Sequence, residues 1–334
     1  MILHYFKIAF RNLCKYKTQN IISIIGLAVG LLCFCICIYC SRFVESTDHC
    51  FANHNRIAEL NLYDSKADRY FSGSPVPLAE ELRTWSLGET EAISSVTYPR
   101  ERPYYVELSQ EKILPYELET IEIDTFYNEI FTPEMVAGHW KMASQSLNSV
   151  ILSQSMAIKI FGNAESAIGK HMTLMRRLNT SPESTPKTGG IVYTIQAVMK
   201  DIPLNNSLDF MQNIDMLTVN DSEGLLQSPK RHNMTGASTY ALLAAQTTCA
   251  ALEKQFSKRN YTYTLYNESY TITANGMGTQ LKKQGASYLA LVTGIIGTLI
   301  LLVGLINFFH FLIGSFFNRT KAVSYTHLRA HETV

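Results

Sequence analysis

The segment Gly162-Asn-Ala-Glu-Ser-Ala-Ile-Gly169-Lys170 holds the residue types with which a chain can cradle a phosphate. That chemistry needs four residues between the glycines and a Ser or Thr after the lysine, so that backbone amides surround the phosphates and a hydroxyl holds magnesium. Here six residues intervene and His171 follows, so the segment reads as a turn and not as a nucleotide site. A second cluster sets His49 and His54 around Cys50, with Asp48 alongside, all of them potential metal ligands. Structural zinc sites pair a C-x2-C half with an H-x3–5-H half. The second half is missing, and the cluster reads as a solvated turn. Neither G-x-S-x-G nor H-E-x-x-H occurs, the spacings of a serine nucleophile elbow and of a zinc hydrolase. The sequons at Asn205 and Asn233 matter only in a eukaryotic secretory pathway. No catalytic, cofactor-binding or metal residue and no cofactor are therefore expected, and the sequence offers no reason to take the chain for an enzyme.

Two apolar runs, Ile21 to Tyr39 and Ala286 to Leu312, dominate the rest of the chain. Each can cross a hydrocarbon core about 30 Å thick, which takes about 20 helical residues. Neither contains Asp, Glu, Lys or Arg, and one such charge at mid-span would cost about 2.5 kcal/mol or more. The sequence therefore predicts membrane spans over 20–42 and 286–314, with a large domain, 45–284, between them. Within the spans, Gly26 and Gly30 form a small-xxx-small pair that admits a close helix neighbour. Asn307 and His310, one helical turn apart, are polar exceptions whose default role is packing by hydrogen bonds to a protein neighbour. These four residues are the helix-packing candidates.

Lys7, Arg11, Lys15 and Lys17 precede the first run, and Arg319 and Lys321 follow the second. Basic residues beside span ends mark the cytoplasmic face, so both termini are expected in the cytoplasm and the large domain outside it. Residues 1–19 put Phe6, Phe10 and Leu13 on one face beside a basic stripe, a pattern for a helix lying on membrane lipids or for a plain extension of the span. A signal peptide would have an apolar region of about 7–15 residues and a small-x-small exit. This run is longer and leaves through Tyr39-Cys40-Ser41-Arg42-Phe43, so it reads as a retained anchor.

Lys and Arg number 29 against 28 for Asp and Glu, a net charge of +1. That balance gives no basic footprint for nucleic acid. Of the seven cysteines, only Cys50 and Cys249 fall in the outer domain. They could pair in an oxidising compartment, but their spacing carries no signal either way. The domain reads as mixed α and β. Strands are expected over Arg56–Tyr63, Leu118–Ile123, Ile191–Val198 and Tyr261–Ile272, and helices over Pro75–Leu87, Ser153–Phe161 capped by Gly162, and Ala244–Lys258. Residues 179–190, rich in Ser, Thr, Pro and Gly, read as an excursion. A second lobe is expected over about 124–190. No internal repeat is apparent.

Taken together, these pieces resemble the permease subunits of MacB/FtsX-like ABC transporters. The resemblance begins with FKIAFRNLCKYKTQNIISIIGLAVG at Phe6 to Gly30, a basic surface helix, an Arg-Asn-Leu triplet and a first span. It continues through NSVILSQSMAIKIFGNAESAIGKHMTL at Asn148 to Leu174, which is similar to the family's strand, Ala-x-x-x-Phe-Gly helix end and Ile-Gly-Lys turn. YTIQAVMKDIPLNNSLDF at Tyr193 to Phe210 and LLVGLINFFHFLIGSFFNRTKA at Leu301 to Ala322 complete it in order. The resemblance implies two transmembrane α-helices flanking an extracytoplasmic α+β domain, the MacB-like periplasmic core domain, in a bacterial inner membrane. It also implies a separate cytoplasmic ABC ATPase that hydrolyses ATP, a second permease copy or paralogue, and transport or efflux of a lipoprotein, peptide or drug, or activation of a cell-wall enzyme.

The family has four spans, and this chain ends in VSYTHLRAHETV soon after its second. Residues 315–334 are thus expected to be a cytoplasmic tail, with 323–334 artefactual and the chain truncated. The alternative from another class is a two-span sensor or scaffold with an extracytoplasmic ligand-binding domain.

Overall fold

The computed structural model describes residues 17–331 apart from 72, 110–111, 175–189, 210, 223, 229–234, 266–267 and 280–286. Most of the basic surface helix expected over 1–19, and most of the excursion expected over 179–190, lie outside the described residues. The chain divides into two compact units, 1–46 with 282–334, and 47–281.

The described residues of the first unit form a pair of helices, α1 (Lys17–Glu45) and one over Ser287–His331 that becomes α7 in chain order. Spans long and apolar enough to cross a membrane cover Ile24–Glu45 and Tyr288–Gly314. The second helix does not stop at 314 but continues to His331. Glycines line the contact between the two helices. A Cβ on Gly30 would stand 3.3 Å from the Ile300 carbonyl oxygen, and one on Gly304 would stand 3.5 Å from that of Gly26. At Gly297 a Cβ would lie 2.7 Å from the Cys37 Cβ, closer than real side chains come. Ser41 Oγ adds a hydrogen bond to the Ala290 carbonyl at 3.0 Å.

Among the described residues, the second unit is built on fourteen strands joined in one sheet. In the open part, β1 (Ile57–Asp64) lies between β12 (Thr235–Leu243) and β14 (Glu268–Gly276), with β13 (Thr262–Leu265) beyond β14 and β4 (Thr90–Thr97) beyond β12. The other part curls into a ring. Its six strands are β6 (Lys112–Ile123), β11 (Met216–Val219), β8 (Ser149–Ser153), β10 (Val192–Met199), β9 (His171–Leu174) and β5 (Arg100–Ser109), which returns to β6. The parallel pairing of β11 with β6, from Met216↔Thr120 to Val219↔Ile123, closes it. Register shifts in β10 between Ile195 and Ala197 and between Val198 and Met199 supply irregularities of the kind that turn a sheet through a corner. The ring draws on residues 100–219, a wider span than the second lobe expected over about 124–190.

A single register pair, Val96↔Ile123, joins ring to open sheet. Meanwhile β4 and β12, which flank the ring in the chain, pair directly from Ala237↔Thr97 to Leu243↔Thr90. Inside the ring, Tyr104, Leu118, Val150, Tyr193 and Ile195 form a fully buried core that extends to Met156 and Ile160 of α5 (Gln154–Phe161). The open sheet buries Leu60 and Leu62 against Leu78 and Leu82 of α2 (Leu78–Thr84), and against Leu252 and Phe256 of α6 (Cys249–Lys258).

Local chemistry fixes several ends. Ser153 Oγ accepts from Met156 N at the start of α5, and Gly162, at φ 88°, ends it. Thr248 caps α6, so this helix begins at Cys249 and not at Ala244. The Pro75–Leu87 expectation shrinks to α2, because Ser74 and Pro75 pair with β12 as a short strand. Tyr261–Ile272 is not one strand: Leu265 pairs with Glu268 in an antiparallel hairpin. Alternation has the same period on both arms of a hairpin, so it cannot report the reversal.

Candidate functional site

The helix-packing candidates separate. Gly26 faces Asn307, whose Nδ2 would be 3.3 Å from a Cβ there, and Gly30 is buried against Ile300 and Gly304. His310 is exposed.

The phosphate-loop lookalike uses its backbone amides internally. Ser166 N donates to Asn163 Oδ1 at 2.7 Å, Ala167 N to the Ala164 carbonyl, Ile168 N to that of Glu165 and Lys170 N to that of Ala167. Gly169, at φ 77°, donates to the Ile195 carbonyl at 2.8 Å, while Ile195 N returns a bond to Lys170 O. The amides of 166–170 are thus spent within the protein. It is a clip that ties α5 to β10.

At the other cluster, the His49 and His54 rings lie tilted to each other with centroids 4.5 Å apart, and His54 Nδ1 lies 3.1 Å from the Phe51 carbonyl oxygen. The Asp48 carboxylate instead receives Ser207 N at 2.7 Å and Ser207 Oγ at 2.5 Å. Among the described residues no group of three His, Cys, Asp or Glu could hold a metal ion. Cys50 and Cys249 are both free.

Polar chemistry outside both sequence clusters lies where ring and open sheet meet. Asp221, fully buried, accepts from Tyr193 Oη at 2.7 Å and from Arg102 Nη1 at 3.2 Å. Glu122, 3 % exposed, accepts from Leu225 N at 2.6 Å and Leu226 N at 2.9 Å. Burial, and then the charge of Asp221, push its carboxyl up to about 7. Next to it Asp124 takes Arg83 Nη1 at 2.8 Å, Ser94 Oγ at 2.6 Å and Ser95 N at 3.0 Å. Glu122, between the apolar Ile121 and Ile123, reads in sequence as the outward face of a half-exposed strand, and Asp221 and Arg102 carry no signal either.

The sequence matches no protein-family model and no curated protein. Among solved structures, the chain is similar to a domain of a protein described as a permease from Porphyromonas gingivalis. Identity is 20 % and the TM-score 0.50, over 68 % of this chain and 93 % of that one. Weaker likenesses are to the periplasmic region of MacB from Actinobacillus actinomycetemcomitans (11 % identity, TM-score 0.44, 69 % and 92 % covered) and to the extracellular domain of the noncanonical ABC-type transporter YknZ from Gram-positive bacteria (12 %, 0.39, 66 % and 99 %). The chain thus carries the α+β fold of a permease domain, set between two helices long and apolar enough to cross a membrane.

Proposed function

We propose that the chain is a permease subunit of an ABC-type exporter or mechanotransmission complex. In this reading two spans hold the α+β domain outside the cytoplasm, and a partner ATPase in the cytoplasm drives movements that the helices pass to the domain. The permease works as a dimer with a second copy or paralogue, and its cargo is a lipoprotein, a peptide or a drug. The observation that carries the reading is the permease-domain fold between two apolar helices. The glycine seam of the helix pair supports it, because tightly packed helices move together.

Purifying the protein from its native membranes tests it. An ABC ATPase is expected to co-purify in near-equal amount, and a protein that runs without any ATPase would overturn the reading. The polar cavity between Ser95, Glu122 and Arg83 favours a second reading, a two-span sensor or scaffold whose outer domain binds a ligand. In that case a soluble ligand and not an ATPase would be the required partner.

A further inference from the structure

The first apolar span ends at Glu45, and the chain enters the domain through Asp48, three residues on. Three residues reach at most about 11 Å, so Asp48 stays close to the headgroup layer whatever path the turn takes. Whatever binds Asp48 is held there with it. Its amide donates to the Asn205 carbonyl at 2.9 Å, and its carboxylate receives the Ser207 amide and hydroxyl. The returning chain passes the same point, since a Cβ on Gly278 would lie 2.5 Å from Asp48 Oδ2. The connection from β10 to β11, residues 200–215, is thus fastened where the chain arrives from one span and leaves for the other.

That connection is firmly tied and almost free of charge. Asn206, fully buried, accepts from Leu208 N and Asp209 N and donates to the Pro203 carbonyl. Leu208 and Ile214 belong to the same core as Phe51 and Met277. From Ile202 to Ile214 the only charged residue is Asp209, and it is buried. On this fixed backbone Leu204 and Met211 are 39 % and 60 % exposed. Met211 N donates to the Leu204 carbonyl at 2.9 Å, so the two residues adjoin at one turn. Exposed apolar side chains are ordinary on a soluble surface. The short tether to a span end is what sets this pair apart.

We propose that Leu204 and Met211 rest in the boundary between headgroups and acyl chains of the leaflet on the domain's side, which makes the β10–β11 connection a lipid-contacting foot of the ring. That boundary accepts apolar side chains from an uncharged turn, whereas a charge placed there must be kept in water. Gln212 and Asn213, exposed beside Met211, offer polar groups to the headgroups. Two side chains are too small a patch for a stable protein partner, which takes roughly 800 Å2 on each side. Lipid, by contrast, is brought within reach by the tether in every copy of the chain. The inference rests on the two helices crossing a membrane and not on the identity of any partner.

The test uses the full chain in phosphatidylcholine liposomes, with its native cysteines replaced and one new cysteine carrying an environment-sensitive fluorophore. Nitroxides attached shallow or deep in the acyl chains report the depth of the label by quenching it. Labels at Leu204→Cys and Met211→Cys are expected to be quenched by the shallow nitroxide and shifted to the blue, and a label at Lys254→Cys on α6 to show neither. Leu32→Cys, within α1 and exposed, should be quenched by the deep nitroxide. Failure there would sink the span reading and this proposal with it, whereas quenching at Leu32 with none at Met211 would overturn this proposal alone. As a second arm, Met211→Asp should release the Leu204 label to water with the circular-dichroism spectrum unchanged, and undiminished quenching in that folded variant would count against the foot. A blue shift at Met211 that nitroxide does not touch, and that fades as the protein is diluted in lipid, would assign the patch to a second copy and overturn the proposal.

Discussion

The carboxylate of Glu122 occupies the space that a side chain on residue 224 would need. Gly224 lies one residue before the two amides that bind this carboxylate, so the missing Cβ is what lets the backbone close over it. A methyl group there would drive the connection off Glu122 and expose part of the small cluster formed by Val76, Leu225, Leu226 and Ala237.

Gly224→Ala is therefore expected to destabilise the domain by about 1–3 kcal/mol, the usual cost of overpacking. Gly88→Ala is the control, because a Cβ at Gly88 meets nothing within 4 Å. Thermal unfolding of both variants in detergent checks this. Equal midpoints would show that the 224–226 backbone does not depend on the close approach.

Acid should strengthen the fold over part of the range. The Glu122 carboxyl, raised from 4.5 to about 7, binds its proton more tightly in the folded state than in the unfolded chain. Its contribution to stability is thus fully present below about pH 4.5 and is lost as pH rises through 7, by about 3 kcal/mol at most. Glu59, pushed up to about 7 by burial and then by Asp48, acts in the same window and direction. Glu122→Gln should flatten roughly half of the slope between pH 5 and 7 in urea unfolding. An unchanged slope would remove Glu122 from the account.

Removing one member of the buried ion pair should cost more than removing both. Asp221→Ala leaves Arg102 without its carboxylate and Tyr193 without its acceptor, a loss of about 3–5 kcal/mol. Combining it with Arg102→Met should recover part of that loss. Unfolding midpoints of the two single variants and the double variant form the cycle, and strict additivity would count against a coupled pair.

Sidedness can be read with a thiol reagent that does not cross membranes. In cells whose other cysteines are replaced, a cysteine at Lys254 should be labelled from outside and one at Lys17 only after lysis. Lys254 is exposed on α6, so failure to label it would reverse the proposed orientation.

The spans and the clip at 162–170 were legible because each rests on local signals, unbroken apolar composition and glycine positions that a phosphate loop would not tolerate. α5 was legible because Ser153 and Gly162 punctuate it at both ends. The ring was not legible. It closes through Met216 pairing with Thr120, a contact between distant parts of the chain that no window of sequence contains. Burial of Glu122 was hidden for the same reason. Thr120 and Glu122 look like the polar face of a half-exposed strand, but ring closure buries that face too. Arg102 and Asp221 meet only once the ring exists, so neither could be singled out as a site residue beforehand.

The direct pairing of Thr97 with Ala237 has a consequence for how such domains diversify. Everything from 100 to 219 leaves and re-enters the open sheet at two strands that are already neighbours, so the ring is a cassette hung on a hairpin. Exchanging that cassette between relatives, or replacing it by a short turn, would leave most rungs of the remaining sheet in place. The framework and the ring can then evolve at different rates.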